Sequence, residues 1–483
     1  MALLLNIDMK KQATGGALLL CLLVCGPLAM AQDVRLALDG RWEAFFSQAD
    51  DSSLTYNDVW GWEHPRDGRQ YAIVGSLDSI HFIDVTDSGD YRQVVARAGR
   101  AREVVHRDFK THQHYVYATG DEGASGLQVF DLQYLPDSVV KVYESTKLFV
   151  RAHNIFIEGE RLYAAGVRTL RYDHPLSVIS LFDPERPVLL AHLEENQTGI
   201  RYVHDVFVHQ DTAYCAAAGQ GLFVVDLTNP FSPEVIEYLV TYPEQGYNHS
   251  GWLHLPSRQF VMADETHGKR LKVVDTGTGE QELAVTALFG RSAWRGSIPH
   301  NPFVRDSLVF VSYYHEGLQV FGLDTQGGTL PHLAGYDTHP QNDLRADDGN
   351  RYEGFSGCWG VYPFFSDGLV VASDMQRGLF GFRLQEQSSI LDNGMAPHPG
   401  EAKMVVYPNP FKRHITLAPV SPLHRVHLRL INAQGQDVLR RFVTELAAPL
   451  RIEIPSGLSG PQLYLLHLQH ADGTFTRRVL SRP

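Results

Sequence analysis

The chain of 483 residues carries a formal net charge of −13 at pH 7, and 44% of its residues are hydrophobic. Its length exceeds that of one ordinary compact domain, so we expect two or three folded units. The negative charge and the lack of a basic run argue against nucleic acid or an anionic membrane surface as a partner.

The N-terminus has the three parts of a secretory signal peptide. Lys10 and Lys11 precede an apolar run over residues 15–25, and Ala31 closes a small-x-small cleavage site. We therefore predict a Sec signal peptide over residues 1–31 and a secreted protein at the cell surface. No later segment is long and apolar enough to span a bilayer, so we expect no transmembrane part in the mature chain.

Two of the four cysteines, Cys215 and Cys358, lie outside the predicted signal peptide. A disulfide between them is compatible with an exported protein. Both stand in strand-like sequence in different repeats, which favours two small buried side chains instead.

From residue 56 to residue 384 the chain repeats one pattern seven times. Each repeat starts with small polar residues and an apolar run, turns into a Val- and Tyr-rich strand, and reaches a third strand such as Leu222–Asp226. The starts recur at intervals of roughly 45 to 60 residues, the length of a four-stranded blade. This period predicts an all-β fold with a seven-bladed β-propeller over residues 32–384. The last repeat lacks a fourth strand, and the isolated strand predicted at residues 34–46 is expected to supply it and close the ring.

A second unit follows a polar linker, which we place at residues 385–401. Residues 402–483 alternate in hydrophobicity between turn signals such as Asp472-Gly473. The predicted strands cover residues 414–417, 426–431, 437–442, 450–454, 463–468 and 474–480. They predict a small Ig-like β-sandwich of a size that folds on its own.

This second unit resembles the C-terminal sorting domain of the type IX secretion system of Bacteroidetes. The resemblance is carried by four segments in order: Tyr407-Pro408-Asn409-Pro410, Ile431-Asn432-Ala433-Gln434-Gly435, Gly457-Leu458-Ser459-Gly460 and Thr476-Arg477-Arg478-Val479. It implies export across the outer membrane, with the type IX machinery as a partner, removal of the tail and often attachment to the cell surface. The final basic residues of such domains are usually Lys, whereas this chain has Arg.

The repeats resemble the LVIVD-repeat, choice-of-anchor B family of β-propellers. The segments that carry this resemblance include Asp58-Val59-Trp60-Gly61-Trp62, Gly126-Leu127-Gln128-Val129-Phe130-Asp131, His249-Ser250-Gly251-Trp252 and Tyr313-Tyr314-His315-Glu316-Gly317. The resemblance implies a surface protein with a propeller fold and leaves the activity open.

Polar residues recur at the two loops of each repeat that a propeller brings to the same face. The loops before the first strands hold His106, His153, His204, His249 and His300, with Asp58, Asp108, Asn154, Asp205 and Asn301. The loops between the second and third strands hold Asp78, Asp121, Glu122, Asp264, Glu265, His315, Glu316 and Asp374. Five histidines and several carboxylates are therefore expected around one channel mouth.

Two interpretations of this mouth stay open. The polar groups can bond to neighbouring backbone and fix the contacts between blades, or they can bind a ligand such as Zn²⁺ or Ca²⁺. The candidate metal ligands are His153, His204, His249, His300, Asp205 and Asp264. We expect a monomeric binding module for an extracellular ligand rather than an enzyme. The alternative is a lactonase-like, metal-dependent hydrolase with Glu265 or Glu316 as its general base.

Overall fold

The computed structural model describes residues 33–44, 54–276, 284–289, 296–326, 328–340, 352, 354–387, 404–407, 414–419, 422–432, 437–453, 463–470 and 473–480. The chain divides into two compact units, Met1–Ser388 and Ser389–Pro483. The predicted signal peptide and most of the predicted linker lie outside the described residues. Among the described residues, no helix is long and apolar enough to cross a membrane.

The first unit is built from strands, with a single helical turn, α1 (Glu195–Thr198), in its described part. Its strands are β1 (Asp33–Trp42), β2 (Tyr56–Glu63), β3 (Gln70–Ser76), β4 (Ser79–Asp84), β5 (Arg92–Ala98), β6 (Arg107–His112), β7 (Tyr115–Gly120), β8 (Leu127–Asp131), β9 (Val140–Ser145), β10 (Asn154–Glu158), β11 (Arg161–Arg168), β12 (Asp173–Ser180), β13 (Val188–His192), β14 (Asp205–His209), β15 (Thr212–Ala216), β16 (Leu222–Asp226), β17 (Glu234–Leu239), β18 (Asn248–His254), β19 (Gln259–Asp264), β20 (Leu271–Asp275), β21 (Ala284–Phe289), β22 (Pro302–Arg305), β23 (Leu308–Ser312), β24 (Leu318–Gly322), β25 (His332–Tyr336), β26 (Cys358–Tyr362), β27 (Val370–Asp374) and β28 (Gly378–Gln387).

These strands form seven four-stranded antiparallel sheets. Sheets 1 to 6 each take four consecutive strands, from β2–β5 to β22–β25, and sheet 7 combines β26, β27 and β28 with β1. The hairpins follow local turn chemistry. Between β14 and β15, for example, Gln210 and Asp211 both have positive φ (49° and 60°), as a type I′ turn requires.

The sheets are arranged in a closed cycle around their first strands. Strand β2 neighbours β6, and the contacts continue through β10, β14, β18 and β22; β26 then contacts β23 and returns to β2. Apolar faces pack between consecutive sheets, as where Tyr163 and Val178 of sheet 3 share a core with Val206 and Val225 of sheet 4. This arrangement is a β-propeller, and the predicted all-β fold is confirmed.

The N-terminal strand pairs with the last repeat. Strand β1 runs antiparallel to β28 from Asp33 opposite Gln387 to Trp42 opposite Leu379. Gly40 and Gly381 are partners in this pairing, and a Cβ on either would lie 2.7 or 1.9 Å from the Tyr91 side chain of sheet 1. The two glycines therefore make room for a tyrosine whose hydroxyl donates to Asp39 at 2.9 Å and ties sheet 1 to the closing strand.

The described residues of the second unit form two sheets. Its strands are β29 (Met404–Tyr407), β30 (His414–Pro419), β31 (Leu423–Asn432), β32 (Asp437–Leu446), β33 (Leu450–Glu453), β34 (Leu463–His470) and β35 (Gly473–Leu480). The sheet orders are β29-β30-β33 and β32-β31-β34-β35. Alternate residues of β31 (Val426, Leu428 and Leu430) share one core with Ile415 and Ile452 of the smaller sheet. In β31, alternation of period two thus buries one face of the strand, as the sequence pattern predicts.

Both cysteines of the propeller are free and buried. Cys215 lies on β15 and Cys358 on β26. The interpretation of both as small buried side chains, without a disulfide, is confirmed.

Candidate functional site

Side chains from the first strands and the loops before them line the propeller axis in three layers. The histidine layer comprises His106, His153, His204, His249, His300 and Trp359. The acid layer comprises Asp58, Asp108, Asn154, Asp205, Ser250 and Asn301. The aromatic layer comprises Trp60, Phe156, Phe207, Trp252, Phe303 and Tyr362. A cavity of about 40 Å³ lies between the first two layers, and one of about 30 Å³ lies between the acid and aromatic layers.

The histidine layer is a closed ring of six aromatic side chains. Successive ring centroids are 5.3 Å apart from His106 to His153, 4.0 Å on to His204, 4.1 Å on to His249 and 4.3 Å on to His300. Trp359 completes the ring, 5.0 Å from His300 and 5.4 Å from His106. Five of the seven sheets thus contribute an imidazole to one surface.

The ring is open to solvent on one side. The side chain of His106 is 39% exposed and that of His153 is 15% exposed. His204, His249 and His300 are buried. The histidine layer is therefore the mouth of the channel, with a wetter half and a drier half.

In the drier half, two of the three imidazoles use one nitrogen for a backbone carbonyl. His204 donates from Nδ1 to the carbonyl of His249 (3.1 Å), and His300 donates from Nδ1 to the carbonyl of Trp359 (2.5 Å). A carbonyl oxygen only accepts, so Nδ1 carries the proton in both side chains. In the neutral form, the Nε2 atom of each keeps its lone pair.

The surroundings keep these imidazoles neutral. Burial, followed by the neighbouring histidines, holds the pKa of His204 and of His249 well below the usual range. Burial lowers the pKa of His300 to about 3. At neutral pH these three side chains are therefore unprotonated bases.

In the wetter half, the imidazoles pair with carboxylates. His106 donates from Nδ1 to Glu122 (2.5 Å), and His153 donates from Nδ1 to Asp121 (3.0 Å). Burial acts to lower the pKa of His106, but the hydrogen bond and charge of Glu122 outweigh it, so that this pKa is raised. Both carboxylates come from the loop between β7 and β8, one of the loops that the sequence predicts at this face.

Glu265 reaches the ring from the loop after β19. Its Oε1 atom lies 3.6 Å from Nε2 of His300 and 3.9 Å from Nε2 of His249, and it accepts a hydrogen bond from the Tyr314 hydroxyl at 2.6 Å. Ligand atoms of His204, His249 and Glu265 lie within 4.8 Å of one another. Four ligands at about 2.1 Å in a tetrahedron are about 3.4 Å apart, so these three groups would have to move closer together to hold one ion.

The acid layer contains a buried ion pair. Asp108 accepts from Lys110 Nζ at 2.7 Å and from the backbone N–H groups of Phe109 and Ile155 at 2.9 and 2.5 Å. Burial and then the charge of Asp108 raise the pKa of Asp58 well above its usual range, and burial raises the pKa of Asp205 to about 7. Three buried carboxyl groups thus surround one buried lysine, and burial favours the protonated form of Asp58 and Asp205.

The aromatic layer fills the axis below. Trp60 of sheet 1 contacts Phe303 of sheet 6 (centroids 6.1 Å apart), and Phe156 of sheet 3 contacts Trp252 of sheet 5 (5.9 Å). Neither pair comes from neighbouring sheets, so these rings meet across the axis. The site is therefore a shallow pit over a packed floor.

The structure places the predicted metal ligands in three different environments. His153, His204, His249 and His300 lie in the histidine layer, and Asp205 lies one layer below. Asp264 lies in neither layer. It is fully buried, with Oδ2 3.0 Å from Lys272 Nζ, and it accepts hydrogen bonds from the Tyr242 hydroxyl and the Gly246 N–H at 2.9 Å each.

The two residues predicted as general-base candidates also lie in different surroundings. Glu265 lies beside His249 and His300, where it is positioned as a ligand. Glu316 is buried and accepts from the Tyr352 hydroxyl at 3.3 Å.

Three functional features were not singled out in the sequence. Trp359 looks like one of several core aromatics near the repeat starts, and nothing in the chain order marks Tyr314 as a partner of Glu265. Lys110 did leave a signal: it stands two residues after Asp108 in a predicted first strand, the spacing that puts both side chains on one face. A charged residue at that position indicates an internal ion pair.

Comparisons with known proteins give no family assignment. No family model and no curated protein matches the chain. The chain is similar to solved propeller domains. One is the WD40 repeats of RRP9, with 14% identity, a TM-score of 0.46 and 73% of this chain and 98% of that chain covered. Another is the Myceliophthora thermophila Cps50 (Swd1) β-propeller domain, with 10% identity, a TM-score of 0.45 and coverage of 72% and 98%. The assignment of the fold rests on the strand order described above.

Proposed function

We propose that this chain is a binding module that holds a divalent transition metal at the mouth of its propeller channel, through His204, His249 and Glu265. One observation carries the proposal: the buried, neutral imidazoles of His204 and His249 have ligand atoms within 4.8 Å of each other and of the Glu265 carboxylate, and His204 spends Nδ1 on a backbone carbonyl and so presents Nε2. Metal-binding histidines use this arrangement, with the second nitrogen fixed by a carbonyl or carboxylate.

The donor set also indicates the class of metal. Two imidazoles and one carboxylate suit Zn²⁺ or Cu²⁺, and the preference for Cu²⁺ over the earlier metals follows the usual order of stabilities. Ca²⁺ prefers six to eight oxygen ligands, which a ring of imidazoles does not offer. A tetrahedral ion with three protein ligands keeps one position for a water molecule or an external ligand.

Metal analysis of the purified chain tests this proposal. After removal of metal with EDTA and incubation with Zn²⁺ or Cu²⁺, mass spectrometry should find about one ion per chain, and His249→Gln and Glu265→Gln should abolish this binding. His254→Gln is the matched control, because His254 lies on the same strand, β18, and bonds Ser257 away from the mouth. A metal-free wild type, or equal binding by all variants, would refute the site.

For the rest of the chain, we propose a secreted, monomeric, seven-bladed propeller of the choice-of-anchor B type, displayed at the cell surface. The seven four-stranded sheets support the blade number. The predicted signal peptide and the type IX sorting motifs support the location. Most of those motif residues lie outside the described part of the chain.

The second unit is proposed to be an Ig-like sandwich that the type IX machinery recognises. Its two sheets with one shared core support a sandwich. Deletion of residues 402–483 should leave the propeller in the periplasm, as measured by protease accessibility of whole cells. Normal surface display of the shortened chain would contradict this role.

A further inference from the structure

The two halves of the histidine ring differ in what stands behind each imidazole. In the drier half, His204 and His300 are backed by carbonyl groups. In the wetter half, His106 and His153 are backed by the carboxylates Glu122 and Asp121. A carbonyl fixes a neutral imidazole, whereas a carboxylate also stabilises the imidazolium that forms when the ring accepts a proton. The ring therefore combines metal-binding imidazoles with imidazoles suited to proton transfer.

His153 is the imidazole that joins the two halves. Its ring centroid lies 4.0 Å from that of His204, a proposed metal ligand. Its partner Asp121 is held in turn by Arg151, which donates to the Asp121 carbonyl at 2.8 Å and lies 3.7 Å from its carboxylate. A base oriented by a carboxylate, next to a group that polarises water, is the recurring arrangement of hydrolytic sites.

We propose that the metal-loaded mouth hydrolyses carboxylic esters, with His153 as the general base and Asp121 as its positioning residue. This inference rests on the proposed metal site. It differs from the sequence-based hypothesis, in which Glu265 or Glu316 takes the proton, because Glu265 lies among the metal ligands and Glu316 bonds Tyr352.

The reaction follows from these positions. The metal supplies a Lewis acid that polarises the reacting groups. His153 Nε2 takes a proton from a water molecule, whose oxygen forms a bond with the ester carbonyl carbon. The bond from that carbon to the alcohol oxygen then breaks, and the leaving oxygen takes the proton back from the His153 imidazolium. The products are a carboxylic acid and an alcohol, with no oxidant or reductant consumed.

The rim of the mouth indicates the kind of ester. Tyr247 and Tyr202 lie edge-on to the His204 ring, 5.2 and 6.2 Å away, and Phe355, which is 50% exposed, lies 5.2 Å from Tyr314. These rings offer apolar faces to a bound group. The carboxylates of Asp121 and Glu122 repel anions. The rim therefore fits an uncharged ester with an aromatic or apolar group.

Metal-dependent hydrolysis of 4-nitrophenyl acetate by the full chain tests the inference. We expect turnover only with Zn²⁺ or Cu²⁺ bound. His153→Gln should lower kcat by about 100-fold or more with KM little changed, the usual range for loss of a general base. Asp121→Asn should lower kcat by about 10-fold or more. Both variants should retain one metal ion per chain.

His209→Gln is the matched control. His209 pairs with Glu158 at 3.1 Å at the far end of β14. The His209→Gln variant should therefore hydrolyse the ester like the wild type. A metal-loaded wild type without metal-dependent turnover would overturn the inference and leave the metal site standing. Turnover by His153→Gln within about twofold of the wild type, or loss of its metal, would also overturn the role of His153. A wild type that binds no metal would instead refute the proposed function.

Discussion

The histidine layer and the acid layer are made by neighbouring residues, yet they use their polar groups differently. In the acid layer, Asp108 is surrounded by an ammonium group and two backbone donors. In the histidine layer, His204 and His300 spend only one nitrogen within the protein and keep the other for the axis. The type of a polar residue in this channel therefore does not decide whether its role is structural or functional. What decides the role is how many of the residue's hydrogen-bonding atoms are already bonded within the protein.

Substitutions in the acid layer should have the largest effect on stability. Lys110→Met removes the cation that three buried carboxyl groups share, so we expect a loss of about 3–5 kcal/mol in the free energy of unfolding. Urea titration followed by tryptophan fluorescence measures it. The control is Lys141→Met, which breaks the exposed pair with Glu144 and should cost no more than about 0.5 kcal/mol. Equal losses would remove the distinction between the layers.

Substitutions in the histidine layer should reduce metal affinity and leave the stability of the fold nearly unchanged. His204→Gln should weaken Zn²⁺ binding by more than about 100-fold, beyond the range that outer-sphere changes produce. In EDTA its unfolding free energy should stay within about 1 kcal/mol of the wild type. Competition with a chromophoric chelator gives the affinity. A variant that binds metal normally but unfolds easily would reverse the assignment.

The acid layer should also respond to pH. Because burial raises the pKa of Asp58 in the folded protein, the stability it contributes is complete below pH about 4 and is lost as the pH rises through the raised pKa. Asp58→Asn should therefore lose less stability between pH 5 and pH 8 than the wild type loses. Its amide can still donate to Asp108. Parallel stability curves for the two proteins would contradict this account.

The smallest effect should come from the group behind Glu265. Tyr314→Phe removes the hydroxyl that orients this carboxylate, so Zn²⁺ affinity should fall by about 10-fold. Tyr115→Phe removes a similar bond, to Glu185 at 2.9 Å, on another part of the propeller and should leave the affinity unchanged. Isothermal titration of both variants measures the difference. An unchanged affinity in Tyr314→Phe would limit Tyr314 to packing.

The architecture follows from the sequence because it depends on local patterns. Each repeat contains its own alternating strands and turn residues. The strand Leu222–Asp226, for example, has in the structure the bounds that the pattern predicts. The pairing of β1 with β28 could also be predicted, because the last repeat lacks a strand and the N-terminus has one to spare. A histidine before five of the first strands likewise indicates a common surface once the ring is assumed.

The chemistry of the site depends on contacts that the sequence does not order. Asp264 and Glu265 are neighbours, yet one is buried against Lys272 and the other reaches the histidine ring. Nothing in the dipeptide tells which carboxylate turns to the axis. His204 and His300 bond to backbone carbonyls of other repeats, those of His249 and Trp359, and no spacing encodes these partners.

The closing strand has a consequence for how the protein is made. Arg35 on β1 bonds Gln385 on β28, 350 positions later. Strand β1 is therefore synthesised long before its partner β28, and such remote contacts form late in folding. Until then β1 and β28 both present unpaired edges, which are templates for the same strands of another copy. Strand exchange between copies of the chain is thus most favoured just before the ring closes. A chaperone that covers the free edge of β1 or β28 would act at this stage.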